Sequence, residues 1–268
     1  MSTIGYVHGY SESEYTRMRD QSKTLAELLH FDTRYPADTH VLEAGCGIGA
    51  QTVILARNNP KTYFTCIDIA PNSIAHARQT VAAHGFKNVS FQVADILNLP
   101  FADESFDHVF VCFVLEHLNQ PMHALQNLKR VLKSGGSITV IEGDHGSTFF
   151  YPRSELAQRT IQCLVELQAH MGGNALIGRE LYPLLTRAGF RQVTVSPRFV
   201  YADPSRPEWV DGFTEKTFIA MIEGVREPVL QSGIIDKHTW EQGIAELKAT
   251  AGPDGVFCYT FFKALAYK

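Results

Sequence analysis

Val41-Leu42-Glu43-Ala44-Gly45-Cys46-Gly47-Ile48-Gly49-Ala50 is a short apolar run that breaks into glycines. Val41 to Ala44 forms a strand, Gly45 to Ala50 a tight turn, and Gln51 to Asn58 the helix that follows. Glycine lets the chain turn sharply and, lacking a Cβ, lets a ligand approach the backbone. By itself the turn is ambiguous. Gly45, Gly47 and Ala50 also satisfy the G-x-G-x-x-G/A dinucleotide fingerprint, and a glycine turn that binds nothing has the same look.

Outward from this turn the chain alternates strand and helix. Tyr63 to Asp68 is a second strand. A helix follows from Pro71, well placed in a first turn, to His84, where Gly85 stops it. Val89 to Ala94 is a third strand. Phe106 to Phe113 is a fourth, almost continuously apolar as in strands buried on both faces. Pro121 opens a helix to Leu132, and Ser134-Gly135-Gly136 turns the chain into a fifth strand, Ser137 to Glu142. Such alternation implies a doubly wound α/β fold with a mostly parallel sheet covered on both faces.

On the N-terminal side, Ser11-Glu12-Ser13-Glu14 fits a capping box for a helix to about Leu29, striped by Leu25, Leu28 and Leu29. On the C-terminal side the pattern loosens. His145 to Tyr151 reads as a loop, with helices over Ser154 to His170 and Arg179 to Ala188. A sixth strand spans Arg191 to Tyr201. After the break at 203–207 come helical stretches carrying Trp209, Phe213, Ile222, Val225 and Val229, then Lys237 to Ala249. A last strand runs from Val256 to Ala264. The expected organisation is an N-terminal lid or helix (1–30) and a cofactor-binding core (31–144). Remaining core elements with a helical substrate cap (145–255) and a closing strand (256–268) complete it.

Three carboxylates narrow the ligand. Glu43 ends a buried strand two residues before Gly45, and a carboxylate there needs a positive or donor partner. A pyrophosphate would be repelled and an ammonium welcomed. Asp68 ends the second strand 23 positions after Gly45, close to the spacing at which an acidic side chain accepts from ribose hydroxyls; capping is its alternative role. Asp95, in Ala94-Asp95-Ile96, can accept from an exocyclic amine while Ile96 packs on a flat base, or it can cap the next turn. An adenine-like base, a ribose and a cationic amino-acid end describe S-adenosylmethionine better than NAD.

The series Val-Leu-Glu-Ala-Gly-Cys-Gly-Ile-Gly, Cys66-Ile67-Asp68-Ile69, Val93-Ala94-Asp95-Ile96 and Phe106-Asp107-His108-Val109 resembles class I S-adenosylmethionine-dependent methyltransferases. The nearest flavour is the ubiquinone/menaquinone-type small-molecule enzymes. Val114-Leu115-Glu116-His117-Leu118, Leu132-Lys133-Ser134-Gly135-Gly136 and Leu185-Thr186-Arg187-Ala188-Gly189-Phe190 are similar too. The resemblance covers residues 38–200 and about 256–266. It implies a seven-stranded, mostly parallel Rossmann-like sheet with an antiparallel last strand. It implies that Glu43 and the backbone of Gly45, Cys46, Gly47 and Gly49 hold the methionine part, and Asp68 the ribose. Ile69 and Ile96 would sandwich the adenine, Asp95 take its amino group, and Phe113 border the methyl donor. His8-Gly9-Tyr10-Ser11, with Arg17 and Gln21, is similar to a lid in which Tyr10 covers the cofactor, an aromatic face against a sulfonium.

The sulfonium makes the methyl group electrophilic unaided, so the protein's task is alignment. A base is needed only where the acceptor must lose a proton, and His117, Asp144 and His145 are the candidates. Phe149, Phe150, Tyr151, Phe199, Tyr201, Trp209, Phe213 and Phe218 are expected to line an apolar pocket for a small hydrophobic or aromatic acceptor. A non-catalytic S-adenosylmethionine-binding regulator and an NAD-dependent oxidoreductase are the rival functions. The net charge of −4 and the lack of a basic run disfavour nucleic acid. No metal site is expected. The five cysteines, with no Cys-x-x-Cys spacing, are expected to be reduced and buried in a cytoplasmic protein. Residues 1–10 do not read as a signal peptide, and no stretch approaches a membrane span. A homo-oligomer is left open.

Overall fold

The computed structural model describes residue 9 and residues 11–268. Its first helix, α1 (Glu12–His30), begins where Ser11 Oγ accepts the Glu14 N–H at 3.2 Å. The core then runs β1 (His40–Ala44), α2 (Ala50–Asn58), β2 (Tyr63–Asp68), α3 (Pro71–Ala83), β3 (Val89–Val93) and β4 (Phe106–Cys112). It continues with α4 (Pro121–Val131), β5 (Leu132–Tyr151), α5 (Glu155–His170), α6 (Leu181–Arg187) and β6 (Arg191–Ala202). The cap comprises α7 (Pro207–Trp209), a π-helix (Val210–Ile219), α8 (Ala220–Gly224), α9 (Arg226–Gln231) and α10 (Lys237–Ala249). The closing strand is β7 (Val256–Tyr267).

The strands form one seven-stranded sheet in the order β3-β2-β1-β4-β5-β7-β6, as the motif series implied. β1 to β5 pair in parallel, and β7 lies antiparallel between β5 and β6. Chain order reverses between β1 and β4. The connections after those strands therefore leave to opposite faces and open a crevice at the strands' C-terminal ends. Val109, Phe110 and Val111 of β4 are all fully buried because both faces are covered. One apolar core joins α1, α2, α3 and the cap to the sheet, and a second joins α4 and α6 to its other face.

Two expectations change. Residues 145–151 are not a loop: they continue β5, pairing Phe149, Phe150 and Tyr151 with Cys258, Phe257 and Val256 of β7. The interruption is a bulge between Asp144 and Phe149. Ser147 Oγ fills it, donating to the Asp144 carbonyl and accepting the Thr260 N–H. The stretch carrying Phe213 is helical as expected, but with the wide π-helical hydrogen bonding that is uncommon and often sits at functional sites.

The capped α1 packs in cis. A Cβ on Gly212 of the π-helix would lie 2.3 Å from Thr24 Oγ1, so the two helices nearly touch backbone to side chain. Around the end of α1, Lys263 Nζ of β7 donates to the Leu29 carbonyl, Asp32 and Thr33 at 3.1, 2.6 and 2.6 Å. All five cysteines are unpaired and buried. No helix among the described residues is long and apolar enough to cross a membrane.

Candidate functional site

At the crevice lies a cavity of about 950 Å³. One wall is made by the turns after β1, β2 and β3. Gly45 and Gly47 have φ of +80° and +51°, in the left-handed region that only glycine enters cheaply. A Cβ on Gly45 would sit 2.3 Å from Val114 Cγ2, so a side chain is excluded on packing grounds too. Asp68 locks this turn: its Oδ2 accepts from Gly47 N and its Oδ1 from Ala70 N, each at 2.9 Å. Burial pushes its carboxyl up, opposed by those amides. Asp95 reaches the same wall while its Oδ1 caps Leu97 N at 2.8 Å, so lining and capping coexist. Ile69 is largely exposed and Ile96 buried, and both line the cavity, as do Cys46 and Phe113. The side-chain-free turn and the carboxylates after β2 and β3 fit a ligand with an amino-acid end, a ribose and an amino-bearing base.

Two expected cofactor residues stand off this wall. Glu43 is buried behind the turn, its Oε2 accepting from Thr52 Oγ1 at 2.6 Å and from Cys66 Sγ at 3.2 Å. Burial pushes its carboxyl up to about 7. Its partners among the described residues are thus in α2 and β2. Gly49 caps α2, and a Cβ there would meet Ala77 of α3 at 3.0 Å, so its role is helix packing. Tyr10, with His8, lies outside the described residues; Arg17 and Gln21 do line the cavity, joined by a 2.9 Å hydrogen bond.

The opposite wall is assembled from distant segments. α1 contributes Tyr15, Arg17 and Met18, the turn after β4 Glu116 and His117, and β5 His145. The π-helix contributes Phe213, Thr217 and Phe218, and β7 Tyr259 and Phe261. Of the eight aromatics expected to form an apolar pocket, Phe213 and Phe218 do so. Phe149, Tyr151, Phe199 and Tyr201 are exposed instead, Phe149 stacking on Phe199, because the long β5 and β6 arms carry them away from the crevice. Phe150 faces a smaller cavity and Trp209 lies under Arg206. Tyr259 and Phe261 were not foreseen, since nothing in a strand's alternation says what its inner face meets.

The three expected base candidates also separate. Asp144 is off the wall: Arg179 grips both its oxygens, Nε to Oδ2 at 2.6 Å and Nη2 to Oδ1 at 2.7 Å. That bidentate pair makes it a strut. His117 and His145 do reach the cavity, flanking Glu116 at 3.6 Å (Nε2 to Oε1) and 3.8 Å (Nε2 to Oε2). Burial lowers both imidazoles, His117 to about 4. His145 Nδ1 shares a 2.7 Å hydrogen bond with the Tyr259 hydroxyl. Glu116 is the residue missed, although it adjoins His117 in the Val114–Leu118 segment. No group of three or more His, Cys, Asp or Glu among the described residues is arranged to hold a metal.

A family described as a methyltransferase domain matches residues 36–189. An uncharacterized methyltransferase of Schizosaccharomyces pombe is 29% identical over 179 residues, 63% of this chain and 64% of that protein. The match thus spans slightly under two-thirds of that relative's length. An O-methyltransferase of Aspergillus sclerotiorum is 29% identical over 231 residues, 85% of this chain and 82% of its own. Among solved structures, Haemonchus contortus phosphoethanolamine N-methyltransferase 2 with S-adenosylhomocysteine aligns with a TM-score of 0.57 at 17% identity. That alignment covers 93% of this chain and 52% of the other, and it speaks for the fold alone.

Proposed function

The chain belongs to the class I S-adenosylmethionine-dependent methyltransferase family, with S-adenosylmethionine as its cofactor, and from that premise we propose that it methylates a small, hydrophobic or aromatic molecule. The observation that carries this is one cavity with two unlike walls. A glycine-and-carboxylate wall suits the cofactor, and an aromatic wall with a few buried polar groups suits a flat apolar acceptor. When bound, the cofactor supplies an electrophilic methyl group. Gly45, Cys46 and Gly47 admit its amino-acid end, Asp68 accepts from its ribose, and Asp95 accepts from its base between Ile69 and Ile96. Phe113, in the left-handed region at φ +58°, lines the cavity with its ring centroid 5.4 Å from that of Phe261. Phe213, Phe218 and Phe261 exclude water from the acceptor side. The overall charge of −4 favours a small molecule over nucleic acid, and the five unpaired cysteines favour a reducing compartment such as the cytoplasm.

Calorimetric titration with S-adenosylmethionine, S-adenosylhomocysteine and NADH tests the cofactor assignment. Both sulfur ligands should bind at micromolar concentration, and Asp68→Ala should weaken them about 100-fold, the loss of two charge-assisted hydrogen bonds. Binding of NADH alone would return the turn to the dinucleotide class. Cofactor binding without turnover on any member of a broad acceptor panel would favour a regulatory protein.

A further inference from the structure

The acceptor wall contains a carboxylate that is held firmly yet left without a short hydrogen bond. Glu116 is 7% exposed. Its backbone carbonyl accepts from Gln168 Nε2 at 2.8 Å and from Asn174 N at 2.7 Å. Among the described residues, its carboxylate meets donors at 3.4 Å (Gln168), 3.6 Å (His117) and 3.8 Å (His145). Charge-assisted hydrogen bonds run at about 2.7–2.9 Å, so the Gln168 hydrogen bond is long and weak and the two imidazoles stand beyond hydrogen-bond reach. Leaving it so is costly unless a ligand brings a donor.

We propose that Glu116 accepts the proton of the methyl acceptor, and that this acceptor is a hydroxyl compound whose O–H lies between Glu116 and His145. This rests on the methyltransferase assignment above. A hydroxyl both donates and accepts. It can give its hydrogen to Glu116 and receive the Nε2–H that His145 carries when Tyr259 donates to Nδ1. A protonated amine only donates, so it could not receive that Nε2–H. The ionisable neighbours of Glu116 are Arg17 of α1, Cys112 of β4, Glu142 and His145 of β5, Tyr259 of β7 and His117. Glu142, with Oε1 accepting from Val114 N and Leu115 N, is pushed well up by burial and then by Glu116. Burial also raises the Glu116 carboxyl, opposed by His145, the Gln168 hydrogen bond and Arg17. In the step, a lone pair of the acceptor oxygen forms the O–CH₃ bond and the C–S bond breaks with its pair going to sulfur. The O–H proton passes to Glu116 and from there to solvent.

The test loads wild type and Glu116→Gln with S-adenosylhomocysteine and titrates each with 2-naphthol, 2-(aminomethyl)naphthalene as its ammonium ion and 2-methoxynaphthalene. The wild type should bind 2-naphthol at least about tenfold more tightly than its methyl ether, the range of one hydrogen bond to a charged group. Glu116→Gln should lose that preference while binding S-adenosylhomocysteine as before. Turnover on a panel of hydroxy- and amino-aromatics should give O-methyl products. The wild-type rate should fall towards acid pH, and Glu116→Gln should be slower by about 100-fold or more and flat with pH. Preference for the amine or the ether, failure of every hydroxyl compound to bind, or a Gln variant of undiminished rate each overturns the proposal. Failure of S-adenosylhomocysteine to bind wild type would instead overturn the methyltransferase assignment.

Discussion

The two walls of the cavity are built by different rules. The cofactor wall comes from three successive strand ends, residues 45–47, 68–70 and 94–97, and its hydrogen bonds run between those turns, as from Gly47 N to Asp68. The acceptor wall draws on α1, the turn after β4, the β5 bulge, the π-helix and β7, from Tyr15 to Phe261. A turn that must cradle one fixed ligand constrains adjacent residues and leaves a motif. A wall that need only be apolar, with one or two polar groups, can be supplied from anywhere in the chain and leaves none.

Phe218→Ala is the strongest way to break this division. Phe218 is 1% exposed and meets the rings of Phe257 and Tyr259 with centroids 4.7 and 5.5 Å away. Its truncation should cost about 3–5 kcal/mol of stability, seen in urea unfolding. Cofactor affinity in the protein that remains folded should be unchanged. A parallel fall in cofactor affinity would mean that the walls are one cooperative unit.

Acid should loosen the acceptor side through α1. His30, 1% exposed at the end of that helix, has its Nε2 2.8 Å from Gln51 Oε1, and burial lowers its imidazole from 6.5 to about 4. Between those values the unfolded chain binds the extra proton and the folded chain does not. The contribution is therefore fully present above pH 6.5 and drains away as pH falls towards 4. At pH 5 the loss should be about 2 kcal/mol relative to pH 7, and smaller in His30→Gln. Equal losses in the two proteins would locate the acid sensitivity elsewhere.

The smallest effect sharpens the boundary of the cofactor wall. Glu43→Gln should leave cofactor affinity within about threefold, roughly 0.6 kcal/mol, because its carboxylate serves Thr52 and Cys66. A loss like that of Asp68→Ala would restore the ammonium contact that the motif implied.

The sequence by itself determined the strand–helix alternation, the glycine turn, the capped α1 and the places of Asp68 and Asp95. Each of these depends on periodicity, caps and spacing within a few residues, which local chemistry enforces. The resemblance of the motifs carried the position and direction of β7. Tertiary structure alone decided what each buried polar group faces. It turned Glu43 inward, clamped Asp144 with Arg179, extended residues 145–151 along β7 and wound residues 210–219 as a π-helix. It also brought Glu116 between two imidazoles, one of them 29 positions away along the chain. A side chain's partners across a sheet or under a cap are set by packing between distant segments, and no local pattern in the chain encodes them.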